Sequence, residues 1–376
     1  CRLCIIPKEN LPETEYIHEI PILGIENLRE FMDQEEKENW GAVRNPRREW
    51  PQSSIEYEED FADVLGQETA RQAAVIAAAG FHNLLLIGTK GSGKTMIANR
   101  IPTLFPVISR EESMEISRIY SAAGLLTGNS PMLMRRPFRA PHHTISPTAM
   151  AGGGSVPTPG EITLAHRGIL FLDELPEFRR AALEVLRQPL ETHKICISRV
   201  NGTYEFPANF LLVGAMNPCP CGYYPDRNRC SCTQYQVEQY LGKLSGPLLD
   251  RFDLCTEVAD IPGEQLREKK SGKTSLQLRR EVCRVHEVQR QRYEGTDIRF
   301  NSALSGKETK QYCQVSREGK KLLDAAYEKM NLSLRAYHKI LKTARTIADL
   351  DAKEIIEEEH IAEAVCYRAL DKKYWR

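Results

Sequence analysis

The run Gly88-Thr89-Lys90-Gly91-Ser92-Gly93-Lys94-Thr95 is a complete Gly-x4-Gly-Lys-Thr pattern, the chemistry of a loop whose backbone N–H groups cradle phosphates. Gly91 and Gly93 keep side chains away from the ligand. Lys94 reaches the β- and γ-phosphates as a point charge, and the Thr95 hydroxyl ligates Mg²⁺. The apolar run Asn83–Ile87 before the loop is a strand, and Met96–Arg100 after it opens a helix whose N-terminus faces the anion. A glycine-rich turn without a ligand does not require this context, so the chain is expected to bind a nucleoside triphosphate.

A second apolar run, Ile169–Leu172, ends in Asp173-Glu174. Two carboxylates at the carboxyl end of a strand beside a phosphate loop suit metal-assisted hydrolysis, with Asp173 holding Mg²⁺ and Glu174 polarising the attacking water. A third run, Phe210–Gly214, leads to Asn217, whose amide can orient the water or the γ-phosphate or can simply close a turn.

Of the eleven cysteines, Cys219, Cys221, Cys230 and Cys232 fall within fourteen residues. Four thiolates from two Cys-x-Cys pairs can close a tetrahedral zinc site of structural type. Reduced thiols and redox chemistry are the alternatives. A disulfide framework does not suit a chain with a nucleotide motif, because the cytosol keeps thiols reduced. Isolated cysteines such as Cys196 and Cys366 are expected to be small buried apolar residues.

The elements that must position these groups are an α/β core followed by helices. Short apolar runs bounded by helical stretches indicate a parallel sheet covered on both faces. Gln67–Ala79 reads as an alanine-rich helix ahead of the first strand. After Pro262 the composition becomes basic and helix-prone, and 316–330, 333–350 and 358–370 read as three amphipathic helices of a second, all-helical domain. Residues 33–55 are polar and charged and read as a linker. The 51 basic and 51 acidic residues cancel, so any nucleic-acid contact must use a local patch. No run approaches the length of a membrane span and no signal pattern is present, so a soluble cytoplasmic protein is expected. The chain starts at Cys1 rather than Met and is expected to be a fragment.

Two segments interrupt the core. Arg136–His166, with Gly152-Gly153-Gly154, is too long and glycine-rich for an ordinary connection. Lys194–Pro207 alternates apolar and polar residues around Asn201-Gly202, a strong hairpin signal.

With these residues in hand, the chain resembles the AAA+ ATPases, specifically the magnesium-chelatase-like ComM/YifB family. The resemblance covers about Asp60 to the end and is carried by Phe138-Arg-Ala-Pro-His-His-Thr144, Gly168-Ile-Leu-Phe-Leu-Asp-Glu-Leu175, Ala215-Met-Asn-Pro-Cys-Pro-Cys-Gly222, Leu248-Leu-Asp-Arg-Phe-Asp253 and Ala344-Arg-Thr-Ile-Ala-Asp349. It implies an AAA+ phosphate-loop core over 56–262, with helix-2 and pre-sensor-1 insertions at Arg136–His166 and Lys194–Pro207. A helical lid over 263–376, a linker at 41–55 and a remnant of a Lon-like domain at 1–40 complete the implied organisation. No Ser–Lys pair can be placed in that remnant, so proteolysis is not supported.

The resemblance further implies ATP and Mg²⁺ as ligands and a homo-hexameric ring. Asn217 is then sensor 1, Arg251 an arginine finger entering the neighbouring subunit's site, and Arg335 sensor 2. Both arginines would supply fixed positive charge to a transition state rich in phosphoryl oxygens. The insertions imply pore-facing segments, in which Arg139, Lys194 and Arg199 meet DNA phosphates or, for Arg139, make intersubunit contacts. The function expected is an ATP-driven DNA motor of the branch-migration type. A metal-insertion motor like the magnesium-chelatase ATPase subunit and a protein-remodelling chaperone are the rivals.

Overall fold

A computed structural model describes residues 3–14, 16–17, 19–36, 50, 57–126, 132–154, 157–199, 202–226, 228–260 and 272–375. The chain divides into two units, Cys1–Glu56 with Val107–Arg136, and Tyr57–Pro106 with Pro137–Arg376. In the first, strands β1 (Cys4–Pro7) and β2 (Ile22–Ile25) pair in parallel with Cys4 opposite Ile22. The helix Arg110–Ala122 begins at a capping box, in which Ser109 Oγ accepts from the Glu112 N–H at 3.2 Å and satisfies an otherwise orphan donor. Glu112 also binds Arg136 at 2.7 Å, and Arg110 clamps Glu19 through two bonds of 2.6 and 2.8 Å. Of the expected linker 41–55, only Trp50 lies within the described residues.

The second unit carries β3 (Leu84–Gly88), β4 (Phe138–Arg139), β5 (Gly152–Gly153), β6 (Thr158–Pro159), β7 (Ile169–Leu172), β8 (Lys194–Arg199), β9 (Gly202–Pro207), β10 (Leu211–Met216) and β11 (Leu254–Val258). Five of these form one sheet in the order β11-β3-β10-β7-β4, with every neighbour parallel. Apolar residues run continuously through the central strands because both faces are covered. Leu84, Leu86, Phe171, Leu211 and Val213 pack on the face shared with the alanine-rich helix Glu68–Gly80 and the C-terminal helices. Leu85, Ile87, Leu170, Leu172 and Leu212 fill the other face.

Two of the five strands are not evident as apolar runs. β4 has two residues and lies inside the glycine-rich segment expected to be wholly inserted, yet Phe138 pairs with Ile169 in the sheet. β8 and β9 form the expected antiparallel hairpin, with Lys194 opposite Pro207; Asn201 at its tip lies outside the described residues.

The C-terminal region is helical, through Ser275–Arg292, Gly306–Tyr312, Arg317–Lys329, Leu334–Leu350 and Glu358–Tyr374. Asp349 is nearly fully buried between two arginines, with Arg292 at 2.5 Å and Arg345 at 3.1 Å, and it also accepts from the Asn301 amide at 2.9 Å. A second buried carboxylate fastens these helices to the sheet. Asp253 accepts from the Asn83 backbone N–H at 3.0 Å and pairs with Lys339 at 3.0 Å. Lys339 and Arg368 both donate to the Phe252 carbonyl, at 2.9 and 2.8 Å. No helix among the described residues is long and apolar enough to cross a membrane.

Burial by itself pushes the Asp253 carboxyl up, but Lys339 and His82 overcome it and hold the group well below the ordinary carboxylate range. A depressed folded-state pKa stabilises at neutral pH, and the gain begins to fall as pH drops toward the unfolded value of about 3.9 and is lost progressively down to the much lower folded one. Asp253→Asn is therefore expected to lower stability at pH 7 by about 3–5 kcal/mol, since Lys339 is left buried and unpaired. It should also flatten the loss of stability that the parent chain shows on acidification below about pH 5. Denaturant titrations at several pH values measure both; an unchanged acid slope in the variant would remove Asp253 from this role.

Candidate nucleotide site and cysteine cluster

In the sheet register Ile87 stands opposite Met216, and Leu172 opposite Gly214. β3 and β10 consequently end level and β7 stops two residues earlier, so Gly88, Asp173 and Asn217 emerge at the same edge of the sheet. The loop after β3 turns through Gly91 (φ +81°) and Gly93 (φ +96°), a region that L side chains rarely occupy. Lys94 opens the next helix, and its side chain folds back into the loop. Nζ donates to the carbonyls of Gly88 and Thr89 at 2.9 and 2.7 Å and to Asn217 Oδ1 at 3.1 Å. Lys94 is 8% exposed, and this burial lowers its pKa against the opposing pull of Asp173 and Asp260.

Beside it, Thr95 Oγ1 donates to Asp173 Oδ2 at 2.7 Å, and Asp173 Oδ1 accepts from the Glu174 N–H at 2.8 Å. A hydroxyl and a carboxylate converging on one point are the hard oxygen donors that suit Mg²⁺. Glu174 adopts a left-handed backbone (φ +51°), unusual for a residue with a side chain. Its exposed carboxylate lies 3.4 Å from His143 Nδ1. That contact places His143, of the His142-His143 pair, at the Asp173–Glu174 edge. Asp260 is a further site residue that sequence reasoning missed. It follows β11, accepts from the Thr89 hydroxyl and pairs with Arg229 at 2.8 Å. These two partners hold its carboxyl below the ordinary range. Its signal was faint, since β11 was not evident as a strand.

Arg251 and Arg335 lie elsewhere. The Arg251 carbonyl accepts from Asn83 Nδ2 at 2.9 Å, and Asn83 precedes β3 at the end of the strand remote from the phosphate loop. A five-residue strand spans roughly 16 Å. Arg251 and Arg335 share the Glu191 carboxylate, the latter at 3.9 Å, and Arg335 also faces Asp250 at 4.0 Å. Both line a cleft of about 680 Å³ between the sheet and the C-terminal helices, with Arg167, Arg299, Lys339 and Lys342. Arg251 Nε is buried without a hydrogen-bond partner among the described residues. The geometry thus groups Arg335 with Arg251, not with Lys94.

The four clustered cysteines converge. Sγ separations are 3.3 Å for Cys219–Cys221, 3.5 Å for Cys221–Cys230 and 3.8 Å for Cys219–Cys230, and all four ligand atoms, Cys232 included, lie within 4.8 Å of one another. A tetrahedral metal with bonds of about 2.3 Å sets sulphur–sulphur edges of about 3.8 Å, so the set fits a single ion. The N–H groups of Gly222 and Tyr224 point at Cys219 Sγ, at 3.2 and 3.4 Å, as donors that orient a thiolate. Cys196 and Cys366, expected to be buried, are both exposed. Cys196 takes the outward position between Ile195 and Ile197, which point into the core, so strand alternation overrides the residue's usual preference.

Of the residues expected at DNA phosphates, the two with described side chains are each paired with a carboxylate. Arg139 makes a bidentate pair with Glu161 at 2.6 and 2.7 Å, and Lys194 binds Glu205 across the hairpin at 2.7 Å. The Arg199 side chain lies outside the described residues.

A parallel sheet with a phosphate loop after β3, an acidic end to β7, an amide at the end of β10 and a C-terminal helical region defines the AAA+ class of magnesium-chelatase type. Residues 60–266 match the family described as magnesium chelatase, subunit ChlI, and residues 272–368 match that subunit's C-terminal family; the chain belongs to the magnesium-chelatase ChlI family. It is 46% identical over 312 residues to the competence protein ComM of Haemophilus influenzae, covering 83% of this chain and 60% of that protein. To the YifB protein of Salmonella typhimurium it is 44% identical over 314 residues, 83% of this chain and 61% of the relative. A Mycobacterium tuberculosis protein is 38% identical over 366 residues, 97% of this chain and 72% of its own. The chain thus spans about three fifths of the length of its ComM and YifB relatives.

Proposed function

We propose that this chain is the motor part of an ATP-hydrolysing AAA+ ring that acts on DNA. The observation that carries the ATPase reading is the convergence of Lys94, Thr95, Asp173 and Asn217 at one sheet edge, with Thr95 Oγ1 2.7 Å from Asp173 and Lys94 Nζ 3.1 Å from Asn217. In this reading the loop Gly88–Thr95 holds the phosphates, Thr95 and Asp173 hold Mg²⁺, and Glu174 polarises the attacking water. Bound Mg²⁺ would neutralise charge that develops on the phosphoryl oxygens. Residues 1–40 would be the end of a Lon-like domain, 41–55 a linker, 56–262 the motor core and 263–376 the lid.

The placement of the arginines supports the ring reading. Arg251 and Arg335 occupy the sheet edge remote from their own phosphate loop, so in this reading both complete the site of a neighbouring subunit, as the fixed positive charges that phosphoryl transfer requires. Glu191 would hold them until that neighbour docks. The kinship with a competence protein, at 46% identity, supports DNA over a metal-insertion partner as what the ring acts on. Arg139, Lys194 and Arg199 would exchange carboxylate partners for DNA phosphates. The four cysteines would hold one structural zinc, with no coordination position left open for catalysis.

If the arginines act across the interface, Arg251→Ala and Glu174→Gln chains are each expected to lose nearly all hydrolysis, while mixtures recover part of it at interfaces where an intact Glu174 meets an intact Arg251. Phosphate-release assays on mixed rings measure this, and co-assembly without recovery would rule out action in trans. The DNA reading predicts that forked or single-stranded DNA stimulates hydrolysis. Neutralising Arg139, Lys194 and Arg199 together is expected to weaken DNA binding and flatten its salt dependence by up to about 0.7 per lost contact on single strands. Unchanged affinity and slope would displace these residues from the DNA path, and no DNA binding by the assembled protein would favour the metal-insertion reading.

A further inference from the structure

The cysteine cluster is joined to the phosphate loop at three points. The strand exit that brings Asn217 to Lys94 continues through Pro218 directly into Cys219, so the first sulphur ligand is two residues from a contact of the phosphate-loop lysine. Gly222, at φ +92°, lies against the loop itself: a side-chain carbon there would stand 3.5 Å from the Lys90 backbone nitrogen. Arg229, next to Cys230, is the third point. Its guanidinium stacks on Tyr223 at 4.2 Å and pairs with Asp260 at 2.8 Å. The other Asp260 oxygen accepts from the Thr89 hydroxyl, and the Thr89 carbonyl accepts from Lys94 Nζ at 2.7 Å.

Asp260 is a carboxylate beside an anion-binding loop, and Coulomb repulsion between it and a bound phosphate opposes nucleotide binding unless a cation offsets it. Arg229 is the cation that meets it. Its position depends on the cysteine loop, because the Asp226 carbonyl accepts from the Cys230 N–H at 2.8 Å and the Asn228 N–H bonds Asp226 Oδ1 at 2.9 Å, folding the segment into a turn between the two cysteine pairs. A metal shared by the four thiolates would tie the two pairs to each other across that turn.

We propose that the metal held by Cys219, Cys221, Cys230 and Cys232 controls nucleotide affinity, by keeping Gly222 and Arg229 against the phosphate loop. This rests on the zinc reading above. Loss of the metal frees the two cysteine pairs from one another, withdraws Arg229 from Asp260 and loosens Thr89, which orients Lys94. Linkage makes the coupling reciprocal: bound nucleotide tightens metal binding by the factor by which metal tightens nucleotide binding.

The test measures zinc content by elemental analysis and affinity for a fluorescent ADP analogue by titration, on the same samples of the whole chain. The metal-replete protein is expected to carry one zinc. Stripping it with a mercurial and a chelator, then reversing the mercurial with thiol, is expected to weaken ADP binding about 10-fold, within the usual range of coupling between two sites, and added Zn²⁺ should restore it. Saturating ADP is expected to slow zinc release to a dye chelator. Arg229→Ala covers the case in which the stripped protein unfolds: it should retain zinc and still bind ADP several-fold more weakly. Full ADP affinity in folded, zinc-free protein, or in zinc-loaded Arg229→Ala, would overturn the coupling while leaving the zinc site standing. Absence of zinc from the metal-replete protein would overturn the zinc reading and the coupling with it.

Discussion

Lys94 is an ammonium group kept largely out of water, and much of the surrounding architecture serves to make that tolerable. A buried cation is costly unless acceptors replace its hydration. Here the Gly88 and Thr89 carbonyls and Asn217 Oδ1 supply three. Those acceptors come from one loop and from a second strand, so they meet only if β3 and β10 end level. The parallel register, with Ile87 opposite Met216, secures this. The same register brings Asp173 to Thr95. An anionic ligand arriving at this edge meets a charge already held in place, which reduces the ordering that binding must impose.

Much of this edge is legible in the sequence. The phosphate loop, the Asp173-Glu174 pair and the amide at Asn217 are local features, each attached to an apolar run long enough to read as a strand. The C-terminal helices are legible for the same reason, since their amphipathic spacing is periodic. What escapes is either short or non-local. β4 has two residues and no periodicity to detect, and β11 (Leu-Cys-Thr-Glu-Val) mixes polar residues into a buried strand. With β11 unseen, Asp260 and its bonds to Thr89 and Arg229 had no position in the site. The burial of Cys196 was misjudged because residue type was weighed without strand alternation.

The two arginines show the limit of motif reading most clearly. The family resemblance implies that they supply positive charge to a transition state, but only the topology shows that both sit on the amino-terminal edge of the sheet and share Glu191. Asp253 connects that edge to the C-terminal helices through Lys339, so the arrangement that positions Arg335 also depends on a buried ion pair. One surface thus carries the phosphate loop and the opposite surface the paired arginines, a polarity that lends itself to head-to-tail closure into a ring.

The most direct test is equilibrium binding of ATP with Mg²⁺ to two variants, alongside hydrolysis. Glu174→Gln is expected to bind ATP as the parent does while hydrolysing it at least ~100-fold more slowly, whereas Lys94→Ala is expected to lose binding. Equal loss of binding in both variants, or undiminished binding in Lys94→Ala, would contradict the roles given to this edge of the sheet.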